Sequence, residues 1–224
     1  MNGLRYEHKF FISAAGEAML RTRLEAVIPQ DCHTGADGAY RIRSLYFDDF
    51  SQNALIEKIA GVEKREKFRI RLYNDNTSFI KLESKQKLGK MTRKLSVRLN
   101  AQDATKIAAG DFDFLAESEQ PLLRRFYLQS RLRLLRPRVV VEYDRIPFVF
   151  RDVRVTFDRH LRSGNFSTDL LNPALPQIPI FPGDRTILEV KYDKALPDVL
   201  RRLLSAVNAQ PSAISKFQLC CAYQ

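Results

Sequence analysis

Lysine and arginine occur at every second position in several short segments of this chain. In KFRIRLY, Arg69 and Arg71 share one face of a predicted strand, while Phe68, Ile70 and Leu72 share the other. Strict alternation of this kind is typical of half-buried strands. Side chains on one face of a strand follow each other at roughly 6.6 Å, which lets two such cations hold neighbouring groups of one linear anion.

Three further segments repeat this cationic face. RYEHKFFI places Arg5, Glu7 and Lys9 together. FIKLESKQK and TRKLSVRL contribute Lys81, Glu83, Lys85, Lys87, Lys94, Ser96 and Arg98. Like charges on neighbouring strands repel each other, so we expect an anion between these strands. Phosphate is the obvious candidate, because the planar arginine fork and the lysine ammonium group both bind its oxygens.

Three later segments, VVVEYDRIPF, VRVTFDR and ILEVKYD, predict further strands that bring carboxylates among these cations. Their residues on the charged face are Tyr143, Arg145, Arg154, Thr156, Asp158, Glu189 and Lys191. A carboxylate such as Glu189 is either salt-bridged there or a ligand for Mg²⁺ or Mn²⁺, and the sequence leaves both open. Glu7 and Glu83 are secondary metal candidates, and we interpret them as charge-balancing residues.

The elements that position these residues are about eight mostly antiparallel strands interleaved with three or four amphipathic helices. The helices need the apolar strand faces as partners, so the charged faces must be accommodated elsewhere. Closing the sheet with its charges inside meets both demands, and eight strands leave room for one small ligand. We predict one domain over residues 1–224, an α+β fold with a closed, mostly antiparallel eight-stranded β-barrel and helices packed outside.

Two segments near the C-terminal end lack a clear pattern. The loop containing Pro173, Pro176, Pro179 and Pro182 is predicted to have no regular structure, because proline disrupts hydrogen-bonded ladders. The tail AISKFQLCCAY is predicted to be a short strand or loop.

Composition restricts the possible partners and the compartment. The net charge of +11 indicates a polyanionic partner, namely nucleic acid, an acidic membrane surface or a phosphorylated substrate. Nucleic acid is not expected, because the aromatic side chains lie mainly opposite the cations and cannot stack bases held there. No apolar run is long enough to span a membrane. The three cysteines, Cys32, Cys220 and Cys221, show no metal-type or disulfide spacing, which favours a soluble cytoplasmic protein.

The ordered set of segments resembles the VTC-type polyphosphate polymerase domain, one of the triphosphate tunnel metalloenzymes of the CYTH-like superfamily. SLYFDD, the RIRLY strand, ILEVKYD and the C-terminal SKF carry the resemblance most strongly, and it extends from about Arg5 to Ala222. Two positions depart from the pattern. Arg5 stands where the wider superfamily has a glutamate, and Ala213 stands where some members have a lysine.

The resemblance implies a tunnel that binds the triphosphate of ATP and a growing polyphosphate chain. The phosphate- and ATP-binding residues that it implies are Lys9, Arg69, Arg71, Lys85, Lys94, Tyr143, Arg145, Arg154, Ser215 and Lys216, to which strand geometry adds Lys81. The implied catalytic set is Arg69, Arg71, Lys85, Arg145, Arg154 and Glu189. In this set Glu189 is the ligand of the metal cofactor, Mn²⁺ or Mg²⁺.

These residues predict a metal-dependent polyphosphate polymerase that transfers the γ-phosphoryl group of ATP to a phosphate or polyphosphate end. Two alternatives stay open. The same tunnel could hydrolyse triphosphates or polyphosphate, or it could bind polyphosphate or a nucleotide without turnover. The sequence does not indicate an oligomeric state.

Overall fold

A computed structural model describes residues 4–29, 34–35, 38–183, 185–207 and 209–222. The strands are β1 (Leu4–Ile12), β2 (Tyr40–Asp48), β3 (Lys64–Tyr73), β4 (Ile80–Leu88), β5 (Met91–Leu99), β6 (Arg136–Phe150), β7 (Val153–Ser163), β8 (Ile178–Pro179) and β9 (Thr186–Tyr192). The α-helices are α1 (Ala14–Glu25), α2 (Asn53–Ile59), α3 (Ala101–Ala108), α4 (Pro121–Arg133), α5 (Asp198–Ser205) and α6 (Lys216–Cys221), and a 3₁₀ turn covers Asp113–Leu115.

The eight long strands form a closed antiparallel ring in the order β6-β2-β3-β4-β5-β1-β9-β7, and β7 returns to pair with β6. Two hairpin turns use left-handed backbone. Gly89 has φ 58° between β4 and β5, and Asn74 and Asp75 have φ 49° and 54° after β3. Glycine, asparagine and aspartate adopt this region most readily. The predicted α+β fold with a closed, mostly antiparallel sheet is confirmed.

One group of helices covers the outer face of β2 to β5. Helix α4 begins at Pro121, which is well suited to the first helical turn, and ends at the left-handed Leu134. Its Phe126 is fully buried and packs edge-on against Phe47, Phe68 and Phe112 at centroid distances of 5.0–5.2 Å. Aromatic contacts of this geometry add to the area that they bury.

A second group covers the outer face of β6, β7 and β9. Helix α1 begins after Ser13, whose side chain accepts a hydrogen bond from the Gly16 backbone N–H, and it buries Leu20 and Leu24. Leu200 of α5 is buried in the same cluster. The inward-facing side holds the charged residues together with a third apolar cluster, which lies mainly on β2 and β6.

Helix α6 corrects the prediction for the tail, which is a helix and not a strand or loop. Ser215 caps it by accepting a hydrogen bond from the Gln218 backbone N–H. It packs on the inward-facing side of the ring, where Phe217 lies 5.2 Å from the ring of Tyr46. Six residues are too few for a helical period to be distinguished from other patterns.

The proline-rich loop also differs from its prediction. It contains β8, whose two residues pair with Ser163 and Arg162 of β7. Proline is tolerated at such an edge because its missing N–H need not enter a ladder. Cys220 and Cys221 are buried free thiols, whereas Cys32 lies outside the described residues. None of the described helices is both long and apolar enough to cross a membrane.

Replacing Phe126 with alanine should lower the free energy of unfolding by about 4 kcal/mol, because the change empties the centre of the aromatic cluster. Urea denaturation followed by circular dichroism would measure it. Leu132→Ala, on the same helix but 77% exposed, is the matched control and should change the stability by less than about 0.5 kcal/mol. Equal effects of the two substitutions would contradict this description of the core.

Candidate functional site

The ring encloses a cavity of about 200 Å³ whose wall is strongly cationic. We call it the basic cavity. Its twelve cationic side chains are Lys9, Lys58, Arg65, Lys67, Arg69, Arg71, Lys85, Lys87, Lys90, Arg145, Lys191 and Lys216. Two carboxylates, Glu7 and Glu189, complete the charged part of the wall among the described residues. This excess of positive over negative charge suits a ligand that carries several negative charges.

Glu83 is the carboxylate that holds the arginine pair in place. It stands opposite Arg69 in the β3–β4 register, is fully buried, and accepts hydrogen bonds from Nε and Nη2 of Arg69 at 2.8 and 2.6 Å. Lys94 donates to its other oxygen at 3.0 Å. Burial alone would raise the pKa of Glu83, but Arg69 and Arg71 hold it well below its usual range. Glu83 therefore stays ionised and compensates its neighbours.

Arg71 is bound mainly by neutral groups. Its Nε donates to Ser44 Oγ at 3.0 Å and its Nη2 donates to Tyr143 Oη at 3.2 Å, while Glu83 lies 3.8 Å from Nη1. The side chain is almost fully buried at the cavity wall. Its position is thus fixed by hydroxyl groups that do not neutralise its charge, which leaves that charge available to an anion.

Glu7 joins two lysines on the opposite side of the cavity. It lies 2.7 Å from Lys85 Nζ and 3.0 Å from Lys9 Nζ. Burial and the nearby Glu189 would raise the pKa of Glu7, but Lys85 and Lys9 lower it to about 2. The pKa of Lys85 falls to about 8, because burial outweighs the attraction of Glu7. The ammonium group of Lys85 is therefore close to titrating at neutral pH.

Glu189 is positioned by β9 directly opposite Lys9 of β1. It accepts from Arg145 Nη2 at 3.1 Å and lies 3.1 Å from Lys191 Nζ. Burial would raise the pKa of Glu189, but Lys191 and Lys9 hold it well below its usual range. Arg145 also binds Asp158 through two hydrogen bonds of 2.6 and 2.8 Å.

The donor set of this region suits a hard divalent cation that is shared with a ligand. No group of three or more His, Cys, Asp or Glu capable of holding a metal occurs among the described residues. Mg²⁺ is commonly bound by one or two carboxylates together with substrate phosphates. Glu189 and Glu7 are the two carboxylates of the described wall that could take this role, and both are paired with lysine side chains in this structure.

The structure brings most of the predicted site residues to one place. The basic cavity is lined by Lys9, Arg69, Arg71, Lys85, Tyr143, Arg145, Glu189, Ser215 and Lys216. Lys81, Lys94 and Arg154 are not part of its wall. Lys81 Nζ lies 4.3 Å from the ring centroid of Phe79, Lys94 binds Glu83, and Arg154 donates to Tyr40 Oη at 2.7 Å.

Lys67 is a cavity residue that the sequence interpretation missed. Its Nζ is buried without a hydrogen-bond partner and lies 4.3 Å from the ring centroid of Phe217. Burial lowers its pKa to about 7. The alternation in KFRIRLY already placed Lys67 on the face of Arg69 and Arg71, but the missing partner results from the docking of α6.

Replacing Glu83 with glutamine should lower the free energy of unfolding by about 3 kcal/mol at pH 7, because two buried guanidinium groups lose their counter-charge. The pKa of Glu83 is depressed in the folded state, so its stabilisation is present above the ordinary glutamate pKa and is lost as the pH falls. The difference between wild type and variant should therefore shrink in acid. Urea denaturation at pH 7 and pH 4 would measure both values.

The exposed Glu119→Gln substitution is the control for this charge removal and should leave the stability nearly unchanged. A Glu83→Gln variant as stable as the Glu119→Gln variant would show that the arginine pair does not depend on Glu83.

Comparisons with known proteins agree with this geometry. A protein-family model described as the VTC domain matches residues 4–224. No curated protein matches the chain. The solved structure of HpAC1 from Hippeastrum, a protein with a dominant triphosphatase activity, aligns with a TM-score of 0.59 and 13% identity over 98% of this chain and 95% of its own.

Two further solved structures share the fold. A candidate adenylate cyclase from Bacillus halodurans aligns with a TM-score of 0.53 and 12% identity over 94% of each chain. The PH1012 protein from Pyrococcus horikoshii aligns with a TM-score of 0.52 and 13% identity over 96% of this chain and 98% of its own. Identities this low indicate a shared fold alone. The match to the family model covers nearly the whole sequence, and the chain therefore belongs to the VTC domain family.

Proposed function

We propose that the chain is a metal-dependent polyphosphate polymerase that transfers the γ-phosphoryl group of ATP to a phosphate or polyphosphate end. The observation that carries this proposal is the convergence of twelve lysine and arginine side chains on one cavity with two carboxylates among its described residues. Membership in the VTC domain family supports it. A chain of phosphoryl groups is the ligand whose repeated charge and spacing suit that wall.

The cavity residues would act mainly by positioning and by neutralising charge. Phosphoryl transfer needs little covalent assistance from the protein. Arg69 and Arg71 would hold consecutive phosphoryl groups, while Lys9 and Lys85 would hold the opposite side of the chain. The acceptor is a phosphate oxygen that is already negatively charged near neutral pH, so the reaction needs no general base.

Glu189, with Glu7 beside it, would hold Mn²⁺ or Mg²⁺ together with phosphate oxygens. When bound, the cation neutralises charge that develops on the bridging phosphate oxygens. Arg145 would act from the same side, because it contacts Glu189 and Asp158 and keeps both carboxylates oriented. Each of these contacts restricts where a phosphoryl group can lie.

Hydrolysis of a triphosphate or of polyphosphate is the second candidate function. The structurally similar HpAC1 has a dominant triphosphatase activity, which favours it. Water would then replace the phosphate acceptor, and it would need a carboxylate to orient it. Glu7 lines the cavity and is the candidate for this role, in competition with its contacts to Lys85 and Lys9.

Incubation of the purified chain with ATP and Mn²⁺ or Mg²⁺ should yield ADP and a ladder of lengthening polyphosphate on a gel. Glu189→Gln should lower this turnover by about a hundredfold or more, since bound metal contributes several kcal/mol to transition-state stabilisation. Glu119→Gln should retain full turnover. Orthophosphate without polymer would identify a hydrolase, and bound ATP without turnover would identify a binding module.

The affinity for tripolyphosphate should fall as the pH rises above about 7, because binding favours the charged form of Lys67. The pKa of Lys67 is about 7 in the free protein, and a bound anion raises it, so binding takes up a proton. Lys67 contributes at most about tenfold per pH unit, the limit for one proton, and Lys85, with a pKa of about 8, adds to the decrease in wild type and variant alike. Titration calorimetry from pH 6 to pH 9 would measure it.

Lys67→Met is the control for the titration of the anion itself, which affects both proteins equally. The variant should bind more weakly than wild type at pH 6 and about equally at pH 9. Parallel pH profiles for the two proteins would exclude Lys67 as the titrating group.

A further inference from the structure

A second cavity, of about 520 Å³, lies outside the ring, between α1, β7 and the segment that leads into β9. We call it the outer arginine cavity. Four of its wall residues are Arg21, Arg159, Arg162 and Arg185, and among the described residues its wall contains one carboxylate, Glu17. It shares no residue with the basic cavity.

An irregularity in β7 concentrates basic side chains at this cavity. The β6–β7 register shifts between the pairs formed by Arg162 and Arg159, so two residues of β7 face one residue of β6. His160 within this bulge has φ 49°, a left-handed conformation that a non-glycine residue adopts only when its surroundings enforce it. As a result Arg159, His160, Leu161 and Arg162 all line the cavity, whereas a regular strand would present every second residue.

The carboxylate of Glu17 does not balance the arginines around it. Glu17 is 6% exposed, accepts from Arg159 Nη1 at 3.3 Å, lies 3.8 Å from Arg21 Nη1, and accepts a hydrogen bond from Thr186 Oγ1. Two guanidinium groups share this carboxylate, and Arg21 also lies 3.5 Å from Glu25. Arg162 is paired with Glu142 at 3.0 Å and with Asp144 at 3.4 Å.

Arg185 has no acidic partner among the described residues. Its guanidinium carbon lies 5.4 Å from the ring centroid of Phe11 and 5.7 Å from that of Phe181, and these rings pack edge-on. Cation–π contacts of this kind orient the guanidinium plane without using its N–H donors. Arg185 is thus held at the wall, and no described residue uses its hydrogen-bonding fork.

Unused donors occur on the other arginines as well. Within the part of the chain that the structure describes, the Nε atoms of Arg21, Arg159 and Arg162 are buried and lack hydrogen-bond partners, so the protein does not engage these guanidinium groups fully.

We infer that the outer arginine cavity binds a small molecule that carries a diphosphate or triphosphate group. Guanidinium forks match phosphate oxygens in bidentate fashion, and four arginines outnumber the one carboxylate of the described wall. A volume of about 520 Å³ lies within the range of roughly 300–1,000 Å³ that small-molecule sites occupy. Inorganic pyrophosphate and a nucleotide carry the same group, and Phe181 offers an apolar wall to the base of a nucleotide.

Arginine footprinting of the wild-type chain tests the site directly. The protein is treated with phenylglyoxal, alone or with pyrophosphate or ATP, and modified arginines are located by mass spectrometry. Arg185 and Arg162 should react at least about tenfold more slowly with either ligand present, and the exposed Arg201 should be unaffected. Unchanged reactivity at Arg185 and Arg162 would overturn the proposal, whatever happens to arginines of the basic cavity.

Titration calorimetry with pyrophosphate gives an independent result. Arg185→Gln breaks no internal ion pair with a described residue, so the variant should fold normally, as judged by circular dichroism. Loss of one charge-assisted contact should weaken binding at this site about tenfold, whereas Arg201→Gln, the matched surface control, should not. Because Arg185 is absent from the basic cavity, the result does not depend on whether that cavity binds phosphate. Identical isotherms for wild type and Arg185→Gln would refute the site.

A comparison of the two probes identifies the source of the group. With tripolyphosphate as the base-free match for ATP, tighter protection of Arg185 by ATP would show that the base packs on Phe181, and equal protection would show that the phosphoryl groups alone are recognised. Both results require binding at the outer arginine cavity.

Discussion

Repulsion between like charges is the constraint on which the rest of this structure depends. Strands that turn lysine and arginine toward a common interior can close only if counter-charges lie between them. Glu7, Glu83, Asp158 and Glu189 fill that role, and each contacts at least two cations. Removing water from so many charges is unfavourable unless each is paired and hydrogen-bonded. The register of the ring is therefore fixed by charge on its inside as well as by apolar packing on its outside.

The cationic side chains of the basic cavity differ in how closely a carboxylate is paired with them, and this difference makes the wall attractive to an anion. Arg69 is tied to Glu83 by two hydrogen bonds, whereas Arg71 is held by the hydroxyl groups of Ser44 and Tyr143. Lys67 has no hydrogen-bond partner in the described part of the chain. Arg71 has Glu83 only at 3.8 Å, so the wall keeps more positive charge than its carboxylates compensate. One row of side chains on β3 thus combines closely paired and weakly paired cations.

Much of this architecture could be predicted from the sequence, because period-two alternation reveals both the strands and the side that their cations face. KFRIRLY and ILEVKYD gave the positions of Arg69, Arg71 and Glu189 correctly for that reason. Contacts between distant segments could not be predicted. The partner of Glu83, the isolation of Lys67 beneath Phe217 and the bulge at His160 arise from tertiary packing. Helix α6 was missed because six residues show no usable period.

The location of α6 has a consequence for the order of events during folding. Ser215, Lys216 and Phe217 line the basic cavity, so its wall is finished by a segment that is synthesised after every strand of the ring. A helix of six residues has little stability alone and depends on Phe217 packing against Tyr46 and on Lys216 reaching Asp158 at 2.5 Å. A growing chain can therefore assemble its sheet well before it acquires a complete interior. The wall of the basic cavity is complete only when α6 has been synthesised and has packed against the ring.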